Sequence, residues 1–92
     1  MANAVITFKL MPESPEVDLK AIEEQGLAIA KKYGALGHMQ AQQEPIAFGL
    51  KAVLILAMYR VDGLDAEKAA EEMGKIPGVQ HAEVARMDLA LG

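Results

Sequence analysis

Ninety-two residues with a net charge of -4, no Cys and no Trp allow a single domain, residues 1–92, and a chain of this size buries roughly 60–68% of its unfolded surface in one modest core. Without Cys there is no disulfide framework, thiolate metal site or thiol nucleophile, which fits a reduced, cytoplasmic setting. The 52% hydrophobic content excludes disorder. The acidic balance argues against a nucleic-acid phosphate binder, and no apolar run approaches the roughly 20 residues that span a bilayer.

The first five residues hold no basic segment leading into a long apolar one, so no signal peptide is read. Residues 4–11 alternate as a strand, with Ile6, Phe8 and Leu10 on one face and Val5, Thr7 and Lys9 on the other. Pro12 and Pro15 bracket a stiff connector. From Glu16 to about Tyr33 the apolar spacing is helical, with Leu19, Ile22, Ile29, Ala30 and Tyr33 on one stripe. Asp18 is the preferred N-cap, with Val17 and Ile22 as a hydrophobic staple, and Ser14 followed by Pro15 is the alternative cap. Gly26 weakens the middle of this helix, and Gly34 suits its left-handed C-terminal cap.

Residues 36–43 read as a weaker strand and residues 44–49 as a loop. Residues 50–61 form the strongest strand, apolar on both faces and therefore central. Its outward set reads as Lys51, Val53, Ile55 and Ala57, with Tyr59 also able to stand on the open face. Asp62-Gly63 turns the chain. Asp65 caps a second helix running to about Lys75, with Ala66, Ala69, Ala70 and Met73 inward. The last strand spans residues 79–89, where Ala82 and Val84 face the core and the apolar set then shifts to Met87 and Leu89, the sign of a bulge or of the end of pairing. The order β-α-β-β-α-β predicts an α+β ferredoxin-like sandwich: a four-stranded antiparallel sheet in the order 4-1-3-2 with both helices on one face.

Chemistry is sparse. The two histidines, His38 and His81, fall on opposite edge strands of that fold and cannot share a metal, so no metal or other cofactor is expected. Ser14, the one serine, sits in a proline-flanked turn with no His near it, and no glycine-rich phosphate loop occurs. RNA-recognition motifs of this topology stack bases on aromatics of the two central strands. Here only Tyr59 is available for that, so direct nucleic-acid binding is disfavoured. The unusual element is the loop Glu44, Pro45, Ile46, Ala47, Phe48 and Gly49, with two large apolar side chains where polar ones are expected. Phe48 either folds back to plug the end of the sandwich or stands out as an aromatic anchor for a protein partner.

Three segments carry a resemblance. Met11-Pro12-Glu13-Ser14-Pro15-Glu16-Val17-Asp18-Leu19 and Glu44-Pro45-Ile46-Ala47-Phe48-Gly49-Leu50-Lys51-Ala52 resemble signatures of the archaeal-type translation elongation factor 1-beta family, and Val79-Gln80 with Glu83-Val84 is similar to its last strand. The likeness covers essentially the whole chain, in order. It implies the ferredoxin-like fold and a role as guanine nucleotide exchange factor for elongation factor 1-alpha, a GTPase, rather than as an enzyme acting on a substrate. It further implies a two-ended contact. Phe48 matches the family's loop aromatic and belongs to the anchoring end, while the other end acts near the magnesium and phosphate site, where related eukaryotic domains carry a C-terminal lysine. This chain has no lysine there, which leaves Arg60 and Arg86 as the cations for that end. The alternative from the residues alone is an interaction module that self-associates through the open sheet face. A monomer or weak dimer is expected, because the apolar residues of that face are interrupted by Thr7, Lys9 and Glu83.

Overall fold

A computed structural model describes residues 3–61 and 65–90. The chain runs β1 (Asn3–Pro12), α1 (Leu19–Lys32), β2 (Leu36–Pro45), β3 (Lys51–Arg60), α2 (Ala66–Met73) and β4 (Val79–Ala90). The strands form one sheet in the order β2-β3-β1-β4, with every neighbouring pair antiparallel. This is the expected ferredoxin-like arrangement, read from the opposite edge.

Strict alternation makes β1 the spine of the core. Ala4, Ile6, Phe8 and Leu10 are fully buried, whereas Val5, Thr7 and Lys9 are half-buried on the other face. From β3 the buried face is Val53, Ile55, Ala57 and Tyr59, which corrects the outward assignment of these residues. A strand apolar on both faces carries no parity signal of its own. Register supplies it: Phe8 pairs with Ile55 and Ile6 with Ala57, and directly paired residues share a face. The open face of β3 therefore carries Leu54, Leu56 and Met58. Tyr59 stands against the helices, edge-on to Phe8 with ring centroids 6.4 Å apart. Its hydroxyl donates to the Ala30 carbonyl at 2.9 Å.

Both helices start where a side-chain cap supplies the missing acceptor. Asp18 Oδ1 accepts from the backbone N–H of Lys20 and Ala21, so α1 begins at Leu19 rather than Glu16. Asp65 Oδ1 accepts from Lys68 N–H at the start of α2. The Asp62-Gly63 turn before it lies outside the described residues. Gly26, read from the sequence as a weak point in the helix, is also a close-packing position: a Cβ there would lie 3.0 Å from Ile55 Cγ1 and 3.1 Å from Cδ1. At the exposed ends of the helices the Glu72 carboxylate accepts from Lys32 Nζ at 3.0 Å and from the Tyr33 hydroxyl at 3.0 Å, tying α1 to α2. Those two hydrogen bonds hold Glu72 below the usual carboxylate range.

The last strand does contain the expected irregularity. Thr7 pairs with Arg86 but Phe8 with Val84, so Ala85 is an extra residue. The bulge shifts parity. Met87 and Leu89 stay on the helix side, opposite Ile6 and Ala4, while Arg86 and Asp88 go to the open face. The helices do not reach Met87 and Leu89, which are 56% and 66% exposed.

Two stability outcomes follow from this packing. Gly26→Val should cost about 1–3 kcal/mol in urea denaturation, because β-branching at that position drives into Ile55. Burial pushes the Tyr59 hydroxyl up to about 12, so the folded state holds this proton more tightly than the unfolded chain does. Its contribution is complete below about pH 10 and is lost as pH rises through about 12. Tyr59→Phe should remove about 0.5–1.5 kcal/mol at neutral pH and make the alkaline loss of stability shallower, measured by urea melts from neutral to alkaline pH.

Candidate protein-contact sites at the two ends of the sheet

The molecule measures 42 × 20 × 19 Å, with its long axis set by strands that outrun the helices. Eight helical residues in α2 span about 12 Å and fourteen in α1 about 21 Å, against roughly 33 Å for a ten-residue strand. Both ends of the sheet therefore project past the helical layer.

At one end β2 and β3 join as a hairpin. Pro45 pairs with Lys51, Ile46 N–H donates to the Leu50 carbonyl at 2.9 Å, and Leu50 N–H donates to the Ala47 carbonyl at 3.1 Å. The last bond closes a four-residue turn with Phe48 and Gly49 at its centre. Both have positive φ, 59° for Phe48 and 75° for Gly49. A type I′ turn, whose twist matches that of the strands, has positive φ at both central residues. Gly49 adopts it without strain. Phe48 does not: an L-residue in the left-handed region costs roughly 1–2 kcal/mol. Among the described residues Phe48 is the one non-glycine with positive φ. Its side chain is 94% exposed, so it plugs nothing. Ile46 is half-buried beneath the tip, and Glu44, Pro45, Ala47 and Gly49 are exposed. The same end carries the 13–17 connector and the turn before β4, joined by the hydrogen bond from Glu13 N–H to the Gly78 carbonyl at 2.9 Å.

The two arginines are not brought together. Arg60 ends β3 at the far end, paired with Asn3. Arg86 lies on the open face beside Thr7, four residues along β1 from Asn3, a separation of about 13 Å. Its Nε sits 2.8 Å from Asp88 Oδ2. Sequence reasoning missed an apolar groove at that far end, lined by Val61, Asp65, Ala66, Glu67, Val84 and Met87. The signal available was the parity shift at Met87, but only the shortness of α2 leaves the residue uncovered. His38 and His81 do lie on opposite edge strands. Among the described residues no group of three or more His, Cys, Asp or Glu could hold a metal ion, and no helix is long and apolar enough to cross a membrane.

Comparison with known proteins identifies this two-ended sandwich. The profile of the EF-1 guanine nucleotide exchange domain matches residues 5–89. Elongation factor 1-beta of Methanosphaerula palustris is 36% identical over 89 residues, covering 97% of this chain and 99% of the relative. Elongation factor 1-beta of Methanothermobacter thermautotrophicus is 37% identical over 84 residues, covering 91% and 92%. The protein of the same name from Pyrococcus abyssi is 37% identical over 84 residues, covering 89% of each chain. The chain belongs to the EF-1 guanine nucleotide exchange domain family, and its role is that of a nucleotide exchange factor in translation elongation.

Proposed function

We propose that this protein promotes GDP-to-GTP exchange on elongation factor 1-alpha in the cytoplasm, anchoring itself to the GTPase through the hairpin tip. The observation that carries the reading is Phe48. A large aromatic held 94% exposed in a strained backbone conformation gains nothing for the free domain. A pocket on a partner would remove roughly 150–250 Å² of aromatic surface from water, far more than the strain costs at about 25 cal/mol per Å². Because the turn fixes its backbone, Phe48 reaches the partner pre-organised and little ordering entropy is lost on binding. Glu44, Pro45, Ile46, Ala47 and Gly49 form the rim and support of this anchor.

The exchange step is a matter of differential binding. The factor accelerates GDP release only if it binds the nucleotide-free GTPase more tightly than the GDP-bound form. The anchor supplies affinity common to both states, so the discrimination belongs to the opposite end. Of the two arginines, Arg60 is the better placed for that work, at the tip of β3. Arg86 lies back on the sheet face, beside Thr7.

Phe48→Ala should keep a near-native or higher melting temperature and lose about 2–4 kcal/mol of affinity for the GTPase. Phe48→Asn should melt higher than wild type by relieving the left-handed strain, roughly 1 kcal/mol, and bind as poorly as the alanine variant. Melting curves and titrations with purified elongation factor 1-alpha, run side by side, check both. A Phe48→Ala protein that melts far lower yet binds normally would return the hairpin tip to a structural role. Arg60→Ala should slow release of a fluorescent GDP analogue several-fold while leaving complex formation mostly intact. Unchanged release would assign the discrimination to shape and backbone contacts at that end.

A further inference from the structure

Both helices pack on one face of the sheet, and among the described residues no helix packs on the other. That open face is striped along the strands. Its centre is an apolar column on β3, Leu54, Leu56 and Met58, with Val5 beside it. One flank is β4, whose open-face residues run His81, Glu83, Arg86 and Asp88. The order alternates cation-forming and anionic groups in two couples, and each couple is already close: His81 Nε2 to Glu83 Oε1 at 3.3 Å and Arg86 Nε to Asp88 Oδ2 at 2.8 Å. The bulge at Ala85 creates this stripe. Without the extra residue Arg86 and Asp88 would point to the helix side, and Met87 and Leu89 would take the open face.

We infer that the open face is the docking surface for a second copy of this chain, related by a two-fold axis that runs parallel to the sheet and across the strands, between Leu54 and Leu56. The cross-strand rows settle what such an axis brings together. One row is Gln42, Leu54, Lys9 and Glu83, and the next is Gln40, Leu56, Thr7 and Arg86. The axis exchanges them. Leu54 then meets the partner's Leu56, Glu83 meets the partner's Arg86, and Asp88 meets the partner's His81. The pattern on β4 is its own complement when reversed, as an isologous interface requires. At the other flank the axis brings Glu44, in the row of Ala52, toward the row of Met58, where His38 borders the shallow hollow beside Val5 and Met58.

Size sets the strength. Four strands at about 4.8 Å spacing and ten residues at about 3.3 Å make a face of about 600 Å². Two such faces bury about 1,200 Å², the lower limit for a specific interface. Lys9, half-buried in the middle, must lose hydration without gaining an opposite charge across the axis, since it faces Thr7 of the partner subunit. Association therefore belongs in the micromolar range. The axis places the two Phe48 tips at opposite ends of the dimer, clear of the interface.

Sedimentation equilibrium of the purified chain, with Glu83→Arg and Arg86→Glu as single variants, tests the arrangement. Wild type should pass from monomer to dimer between about 1 µM and 1 mM. Each variant alone places like charges opposite one another twice and should weaken association about tenfold or more. An equimolar mixture should associate at least as well as wild type, because the Glu83→Arg copy then presents arginine at both positions to a copy carrying glutamate at both. Thermal melts should show each variant folded. A wild type monomeric throughout, or a mixture no better than its components, overturns the proposal. So does a wild type that stays monomeric while either variant loses affinity for elongation factor 1-alpha, an outcome that would assign the face to the GTPase.

Discussion

Ile55 lies beneath Gly26, and four residues along the same strand the Tyr59 hydroxyl bonds the Ala30 carbonyl. These two contacts bring α1 down onto β3 closely enough for a ten-residue strand and a fourteen-residue helix to share one dry layer. A chain of 92 residues has little surplus area with which to tolerate a gap there. The absent Cβ at Gly26 costs helix propensity, and the close approach it permits recovers that in packing. The tyrosine adds direction to a contact that dispersion alone would leave free to slide, because its hydrogen bond is buried and has one partner. Everything on the helix side of the sheet is arranged around this layer, including the T-shaped pair of Tyr59 with Phe8 on the neighbouring strand.

The cost of so thin a fold is coverage. Two helices on one face leave the other face bare, and helices shorter than the strands leave both ends bare as well. Each bare region carries a different chemistry. The hairpin end presents one strained aromatic. The far end presents Arg60 with a groove containing Val61 and Met87. The open face presents an apolar column bordered by alternating charge. In the proposed two-ended contact, affinity and discrimination would be supplied by different groups on one partner. A sheet with two free ends, in a molecule 42 Å long, keeps such groups apart.

One extra residue in β4 does much to keep these regions distinct. Before Ala85 the helix-facing residues Ala82 and Val84 pack against the core. After it, the same side carries Met87 and Leu89 past the end of α2, and the open face carries Arg86 and Asp88. A strand without the bulge would have put two large apolar residues on the bare face beside Val5 and Met58. That would enlarge an already apolar surface toward the size at which soluble proteins aggregate. The bulge thus trades one unpaired residue for charge on the open face and apolar contact at the far end.

Alternation in β1, the capping aspartates Asp18 and Asp65, Pro12 and Pro15 at and beyond the end of β1 and the parity shift near Met87 are local signals, and each is legible because a short stretch of chain carries it. They suffice for element order, from which the common sandwich topology gives the sheet order. The face assignment of β3 is not legible. Val53, Leu54, Ile55 and Leu56 are all apolar, so only pairing with β1 decides that Val53 and Ile55 go inward. Gly26 misleads for a similar reason: a glycine in a helix looks like a propensity defect until the residue across from it is known to be Ile55. Phe48 shows the division most plainly. The amino-acid order places an aromatic beside a glycine in a short loop, which is compatible with a plug or with an anchor. Hairpin closure by Ile46 and Leu50 imposes a positive φ on Phe48 and turns its ring to solvent. Local sequence determined what each element is, and long-range pairing decided which way its side chains face, because facing depends on atoms many residues away in the chain.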